Sequence, residues 1–255
     1  MKILISNDDG ITAPGLNALL LPLQEAGHQV IVVAPASENS ACSHAITVHD
    51  PIFVNEYKFM DKNIKGWKVI GKPADCVKIA LEVLLKDELP DLVIAGINCG
   101  PNLGIDTMYS GTVSAALEAS MHNIPAIAFS LESRLPEADY SLAATYAVKI
   151  VAKYRSFNLP KSTMLNVNIP YTNEENIRGI RLTKLGNILY DNVFSPRQDL
   201  RGRTYYWLGG EMLKNAHINI DYDVDALTQN WITVTPLHYD LTDIASMEKL
   251  RKIKF

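Results

Sequence analysis

Lys2 to Gly15 reads KILISNDDGITAPG. The short apolar run Ile3-Leu4-Ile5 stops abruptly at Asn7-Asp8-Asp9-Gly10. A run without polar alternation, closed by a turn and followed by helical spacing, reads as a buried strand of a parallel sheet. The turn is ordinary in composition, since Asn, Asp and Gly are the commonest turn residues. Its charge is not ordinary. Two adjacent carboxylates, ionised at neutral pH, repel unless a cation sits between them.

The pattern repeats down the chain. Leu16, Leu19, Leu20 and Leu23 mark one helix face, and Gly27 ends that helix. Val30 to Ala34 is a second apolar strand, closed by Pro35 and followed by the polar loop Ser37 to His44. Ile46 to Val54 reads as extended around Pro51, and Trp67 to Ile70 as a short strand. Pro73 opens a helix as its first residue, with Val77, Ala80, Leu81, Leu84 and Leu85 inward. Leu92 to Ala95 is the next buried strand. A loop with Gly96, Gly100 and Gly104 around Asn98 and Asn102 follows it, suited to close backbone contact. A helix then runs from Ser110, with Val113, Ala116, Leu117, Ser120 and Met121 inward, and Pro125 to Phe129 is a further strand.

This alternation predicts an α/β, Rossmann-like fold: an open, mainly parallel sheet with helices on both faces. Ligands of such sheets bind outside the carboxyl ends of the strands, at a switch point. Asp8 and Asp9, Ser40, and Asn98 all fall on that edge. The second half is less regular. Glu137 to Tyr154 reads as a helix, Met164 to Ile169 and Trp231 to Thr235 as strands, and Thr242 to Lys252 as an amphipathic helix. Arg178 to Trp207 is extended, with charges and aromatics mixed. The expectation is one domain over 1–255, with a core over about 1–170 and C-terminal hairpins over about 171–255. Those hairpins either reach a neighbouring subunit or cover an edge strand of their own chain.

With 255 residues, the chain can bury a stable core without disulfides. A net charge of −4 argues against a nucleic-acid scaffold or a basic membrane-surface protein. No apolar run approaches the ~20 residues of a membrane span. Cys42, Cys76 and Cys99 have no zinc spacing and read as reduced thiols. With no signal-peptide pattern at the N-terminus, the expected compartment is the cytoplasm.

Two carboxylates, a hydroxyl and an amide oxygen form a hard, all-oxygen ligand set, suited to Mg²⁺ or Mn²⁺. His44, a lone histidine nearby, reads as a hydrogen-bonding loop residue rather than a ligand. Ser110-Gly111-Thr112 opens a helix, and such a terminus is an anion site as well as an ordinary Ser cap. A carboxylate-bound metal beside a helix N-terminus implies phosphoryl chemistry. Gly66 to Lys72 fits GxxxxGK, but Pro73 follows it and the stretch reads as a strand, so it is not a P-loop. GxGxxG and GxSxG motifs are also absent.

NDDG, VVAP, PADCVK, AGINCGPNLG, YSGTVSAALE and NIPAIAFS together resemble the SurE (survival protein E) nucleotidase family, densely over the first half. LNVNIP, YYWLGGE and WITVTPLH extend the likeness more loosely. The resemblance implies a divalent-metal-dependent phosphatase, a 5′-nucleotidase acting on nucleoside 5′-monophosphates, with 3′-monophosphates and short polyphosphate as occasional substrates. It places one metal ion on Asp8, Asp9, Ser40 and Asn98, with Asp8 and Asp9 as catalytic carboxylates. Phosphate is placed on Ser110, Gly111 and Thr112, with Asn102. It also implies a cytoplasmic homodimer or homotetramer with exchanged C-terminal segments. Two positions depart from the family pattern: Ser43 where glycine is more usual, and Lys72 where threonine is usual. The residues single out no general base, although Asp9 is a candidate for a double role. A non-catalytic nucleotide-binding module on the same fold is the alternative, and the intact acidic pair argues against it. An ATP-using transferase is a weaker idea, opposed by the missing P-loop.

Overall fold

The computed structural model describes residues 1–135, 137–188, 190–191, 194–213 and 217–253. The first half contains β1 (Lys2–Ser6), α1 (Pro14–Glu25), β2 (Gln29–Pro35), β3 (Phe53–Lys58), β4 (Lys65–Ile70) and α2 (Pro73–Ile79). A wide turn over Ala80–Leu84 extends α2, and β5 (Leu92–Cys99), α3 (Gly111–Met121) and β6 (Ala126–Leu131) follow. The remainder contributes α4 (Ser141–Lys153), β7 (Thr163–Ile169), β8 (Gly179–Leu182), β9 (Tyr190–Asp191), β10 (Phe194–Gln198) and β11 (Thr204–Leu208). It ends with β12 (Glu211–Met212), α5 (Asp223–Thr228), β13 (Trp231–His238) and α6 (Ile244–Leu250).

One nine-stranded sheet has the order β3-β4-β2-β1-β5-β6-β7-β13-β8. From β4 through β7 every neighbour is parallel, whereas β3 on β4 and β13 on β7 are antiparallel. The chain starts at β1, steps one way to β2 and later returns on the other side as β5. The end of β1 is therefore a switch point.

The apolar runs are continuous because both faces of these strands are covered. Ile3, Ile5, Val32, Ile94 and Phe129 pack under α1 and α4. Leu4, Ile31, Val33, Val93 and Ala128 pack under α2 and α3. Ala115, Ala116 and Ala119 on α3 are fully buried, and their small side chains let the helix lie close to the sheet.

Several boundaries differ from the sequence reading. No strand covers 46–52. The edge strand is β3, whose alternating, partly exposed residues gave no apolar run. The strand read as 92–95 continues to Cys99 through a register shift between Ala95 and Asn98, so Asn98 stands on a strand end rather than in a loop. Met121, read as inward, is 48% exposed. The helix read from Glu137 starts at Ser141 and the last helix spans only Ile244–Leu250. The C-terminal segment supplies β8 and β13 to the main sheet, while β10 and β11 form a separate hairpin. The GxxxxGK stretch lies in β4 and the turn after it.

Candidate active site

The Asn7–Gly10 turn closes on itself: Asn7 Nδ2 donates to the Gly10 carbonyl at 2.9 Å, and the Gly10 N–H donates to Asn7 Oδ1 at 3.2 Å. That internal clamp frees both aspartates to face other elements. Asp8 is 4% exposed and accepts a hydrogen bond from the Thr112 hydroxyl. The backbone N–H groups of Gly111 and Thr112 also address its carboxylate, so the N-terminus of α3 points at Asp8. A Cβ on Gly111 would lie 2.8 Å from Asp8 Cβ and 3.0 Å from Cys42 Sγ, so only glycine lets helix and turn meet this closely. Ser110 caps the helix, its Oγ accepting from the Val113 N–H at 3.0 Å.

Asp9 Oδ2 accepts from the Cys99 N–H at 3.1 Å, which ties the turn to the end of β5. The adjacent Asn98 spends its Nδ2 on the Gly100 carbonyl at 2.7 Å, leaving Oδ1 as the free end of that amide. The Ser37–His44 loop comes in from the other side. The Asn39 N–H donates to the Asp8 carbonyl at 2.7 Å, and Ser40, exposed, donates to Glu38 Oε1 at 2.6 Å. The elements carrying Ser40, Asn98 and Thr112 thus each bond directly to the NDDG turn. Asn102 lies deeper, 8% exposed. Its Nδ2 donates to Ser130 Oγ at 2.8 Å, and its carbonyl accepts from Asn166 and Asn168 at 2.8 and 2.9 Å. In this arrangement Asn102 braces the glycine-rich loop from beneath.

Electrostatics marks the same place. Burial pushes the Asp8 carboxyl above its ordinary range. Burial, aided by the Asp8 charge, raises Asp9 to about 6. Among the described residues no Lys, Arg or His nitrogen stands within 4.0 Å of either carboxylate. Two adjoining carboxylates without a basic partner, one buried and one half-buried, beside neutral oxygens, suit a hard cation. Among the described residues no group of three or more His, Cys, Asp and Glu side chains could hold a metal, so a cation at the acidic pair would also need the neutral oxygens of Ser40 and Asn98.

Sequence reasoning missed several contributors. The Cys99 and Asn39 bonds are made by backbone N–H groups, which residue type does not reveal. Cys42 lies against Gly111, and burial raises its thiol. His44 does bond within the protein, to Glu118 Oε2 at 2.8 Å. Both departures from the family pattern border the site. Ser43 adopts φ +54°, and Lys72 Nζ donates to Asn39 Oδ1 at 3.1 Å.

A mainly parallel sheet covered on both faces, with an acidic pair and a helix N-terminus at its switch point, defines a Rossmann-like α/β protein whose candidate site lies at the carboxyl ends of its strands. The family model described as "Survival protein SurE" matches residues 3–192, and the chain belongs to that family. A protein named 5′-nucleotidase SurE from Pelotomaculum thermopropionicum is 47% identical over 99% of this chain and 95% of its own length. One of the same name from Trichodesmium erythraeum is 46% identical over 100% and 97%. The crystal structure of the Sure protein from Aquifex aeolicus superposes with a TM-score of 0.85, at 38% identity over 99% of both chains.

Proposed function

We propose that this chain is a divalent-metal-dependent 5′-nucleotidase, hydrolysing nucleoside 5′-monophosphates to nucleoside and phosphate, with 3′-monophosphates and short polyphosphate as further substrates. The observation that carries this reading is the Asp8–Asp9 pair without a basic partner, Asp8 buried against the N-terminus of α3 and Asp9 half-buried against the end of β5. Relatives that match the whole chain carry the name 5′-nucleotidase and support it. Asp8, Asp9, Ser40 and Asn98 would hold one Mg²⁺ or Mn²⁺. When bound, that ion supplies a Lewis acid for the phosphate oxygens and lowers the pKa of a water.

The chain's own groups do the rest. We assign the phosphate to the Ser110–Thr112 turn at the positive end of α3, whose Gly111 and Thr112 N–H groups and Thr112 hydroxyl are turned to Asp8 here and would have to be shared with the phosphate. Asn102 keeps the approaching loop in place. Asp9 is the candidate to take a proton, since only its Oδ2 is engaged, by the Cys99 N–H, while Asp8 stays fixed by Thr112. The partner we assign is a second copy of the chain, with C-terminal segments exchanged in a dimer or tetramer. No helix of the structure, among the described residues, is long and apolar enough to cross a membrane. The three cysteines are unpaired, which supports a cytoplasmic setting.

The test is phosphate release from AMP with EDTA, then with added Mg²⁺ or Mn²⁺. Release should stop with chelation and return with metal. Asp9→Asn should lower kcat by roughly 10²-fold or more while circular dichroism stays unchanged. Release that ignores EDTA, or an Asp9→Asn enzyme at full rate, refutes the assignment.

A further inference from the structure

Away from the acidic pair, α3 carries one more buried charge. Glu118 lies two turns from the phosphate-facing end, its side chain 7% exposed. His44 Nε2 stands 2.8 Å from its Oε2, His122 Nδ1 3.5 Å and Lys78 Nζ 3.7 Å from its Oε1. Lys78 and His122 both have closer contacts with Glu82, at 2.8 and 3.0 Å. Glu118 is the one carboxylate that His44 meets among the described residues, and His44 is the closest ionic partner of Glu118.

His44 ends the loop that bears Ser40. That loop has no regular hydrogen-bonded structure, and Ala41 and Ser43 both take φ +54°, a region that L side chains rarely occupy. Such conformations persist only where the surroundings over-determine them. Other bonds also restrain the loop, among them that from the Asn39 N–H to the Asp8 carbonyl at 2.7 Å. Ser43 bonds the carbonyls of Tyr109 and Met108 at 2.9 and 2.7 Å, and Lys72 reaches Asn39. A charge-assisted bond to a buried carboxylate is the stronger kind.

We infer that Glu118 is a positioning residue, acting through His44 to hold the Ser40 loop against the N-terminal turn of α3. The consequence for cation binding rests on the nucleotidase reading; the anchoring of the loop does not. Glu118→Gln, His44→Ala and the double variant test it, with Lys78→Met as a control that removes a neighbour of Glu118 without touching the loop. In metal-free protein, hydrogen exchange at residues 38–46 should speed up about tenfold in either single variant, the scale of one charge-assisted hydrogen bond. The double variant should lose no more than the worse single. Calorimetric Mn²⁺ affinity should weaken by a similar factor, and excess Mn²⁺ should restore kcat for AMP, which a merely structural defect would not allow. Lys78→Met should behave as wild type. Unchanged loop exchange in both single variants, or losses that multiply in the double, overturns the inference. If the wild type neither binds Mn²⁺ nor releases phosphate, the nucleotidase reading fails while loop exchange still decides the anchoring.

Discussion

Asp8 and Asp9 adjoin in sequence but are held by different groups, one by a helix terminus and one by a strand end. Their electrostatic cost gives a prediction with a definite sign. Asp9 is raised from an ordinary 3.8 to about 6, so between those values the folded chain keeps a proton that the unfolded chain has lost. Stability from this group is therefore complete below about pH 4 and is lost as pH rises through about 6. Discounted for partial exposure, the loss is roughly 1–2 kcal/mol. Urea unfolding in EDTA should show wild type weaker at pH 8 than at pH 5, and Asn at position 9 should be the more stable residue at pH 8. Added Mn²⁺ should restore the wild type alone. Equal wild-type stability at both pH values would contradict the burial argument. Residue types carried the oxygen donors to a sequence reader, because carboxylates and amides announce themselves. The Cys99 and Asn39 amides did not, because backbone donors have no letter.

Among the elements, α3 does two jobs, and its sequence shows why. Ser110, Gly111 and Thr112 shape its N-terminus against Asp8, while Ala115, Ala116 and Ala119 let it settle on the sheet. Ala116 is fully buried, so Ala116→Leu forces the helix outward. We expect a cost of roughly 2 kcal/mol and a Tm lower by about 5 °C, measured by thermal unfolding. Because the helix end and Asp8 touch, phosphate release should fall as well; a full rate with a lowered Tm would separate the helix from the site. Buried elements were legible as runs: β1, β2 and β6 each carry an unbroken apolar stretch, Ile3 to Ile5, Val30 to Ala34 and Ala126 to Phe129. β3 and α5 were not. β3 is a half-exposed edge without an apolar run. The six-residue α5 buries Asp223, whose carboxylate accepts the Gly104 and Gly186 N–H groups at 2.9 and 2.7 Å. An acid used as an inward staple looks like a surface residue until its partners are known.

For the whole molecule, the unresolved question in the sequence was where the aromatic C-terminal stretch goes. It stands off as the β10–β11 hairpin, with Phe194 opposite Leu208 and Pro196 opposite Tyr206 on one side, and Ser195 opposite Trp207 on the other. Both sides carry apolar groups, and Phe194, Tyr206, Trp207 and Leu208 are 63–70% exposed. A two-stranded hairpin alone is marginal in water, and it cannot cover both of its own faces. The α6 helix adds exposed Ile244 and Leu250 and buries none of its residues. Sequence left the cover open because patterning shows that a surface is apolar, not whose surface meets it. A second copy of the chain is the cover we predict. Sedimentation at micromolar concentration should give a dimer or tetramer, and Phe194→Asp with Trp207→Asp should yield monomers whose far-ultraviolet circular dichroism is preserved, since neither residue enters the main sheet. A monomeric wild type would refute this, and aggregation of the double variant would mean that the hairpin packs within its own chain.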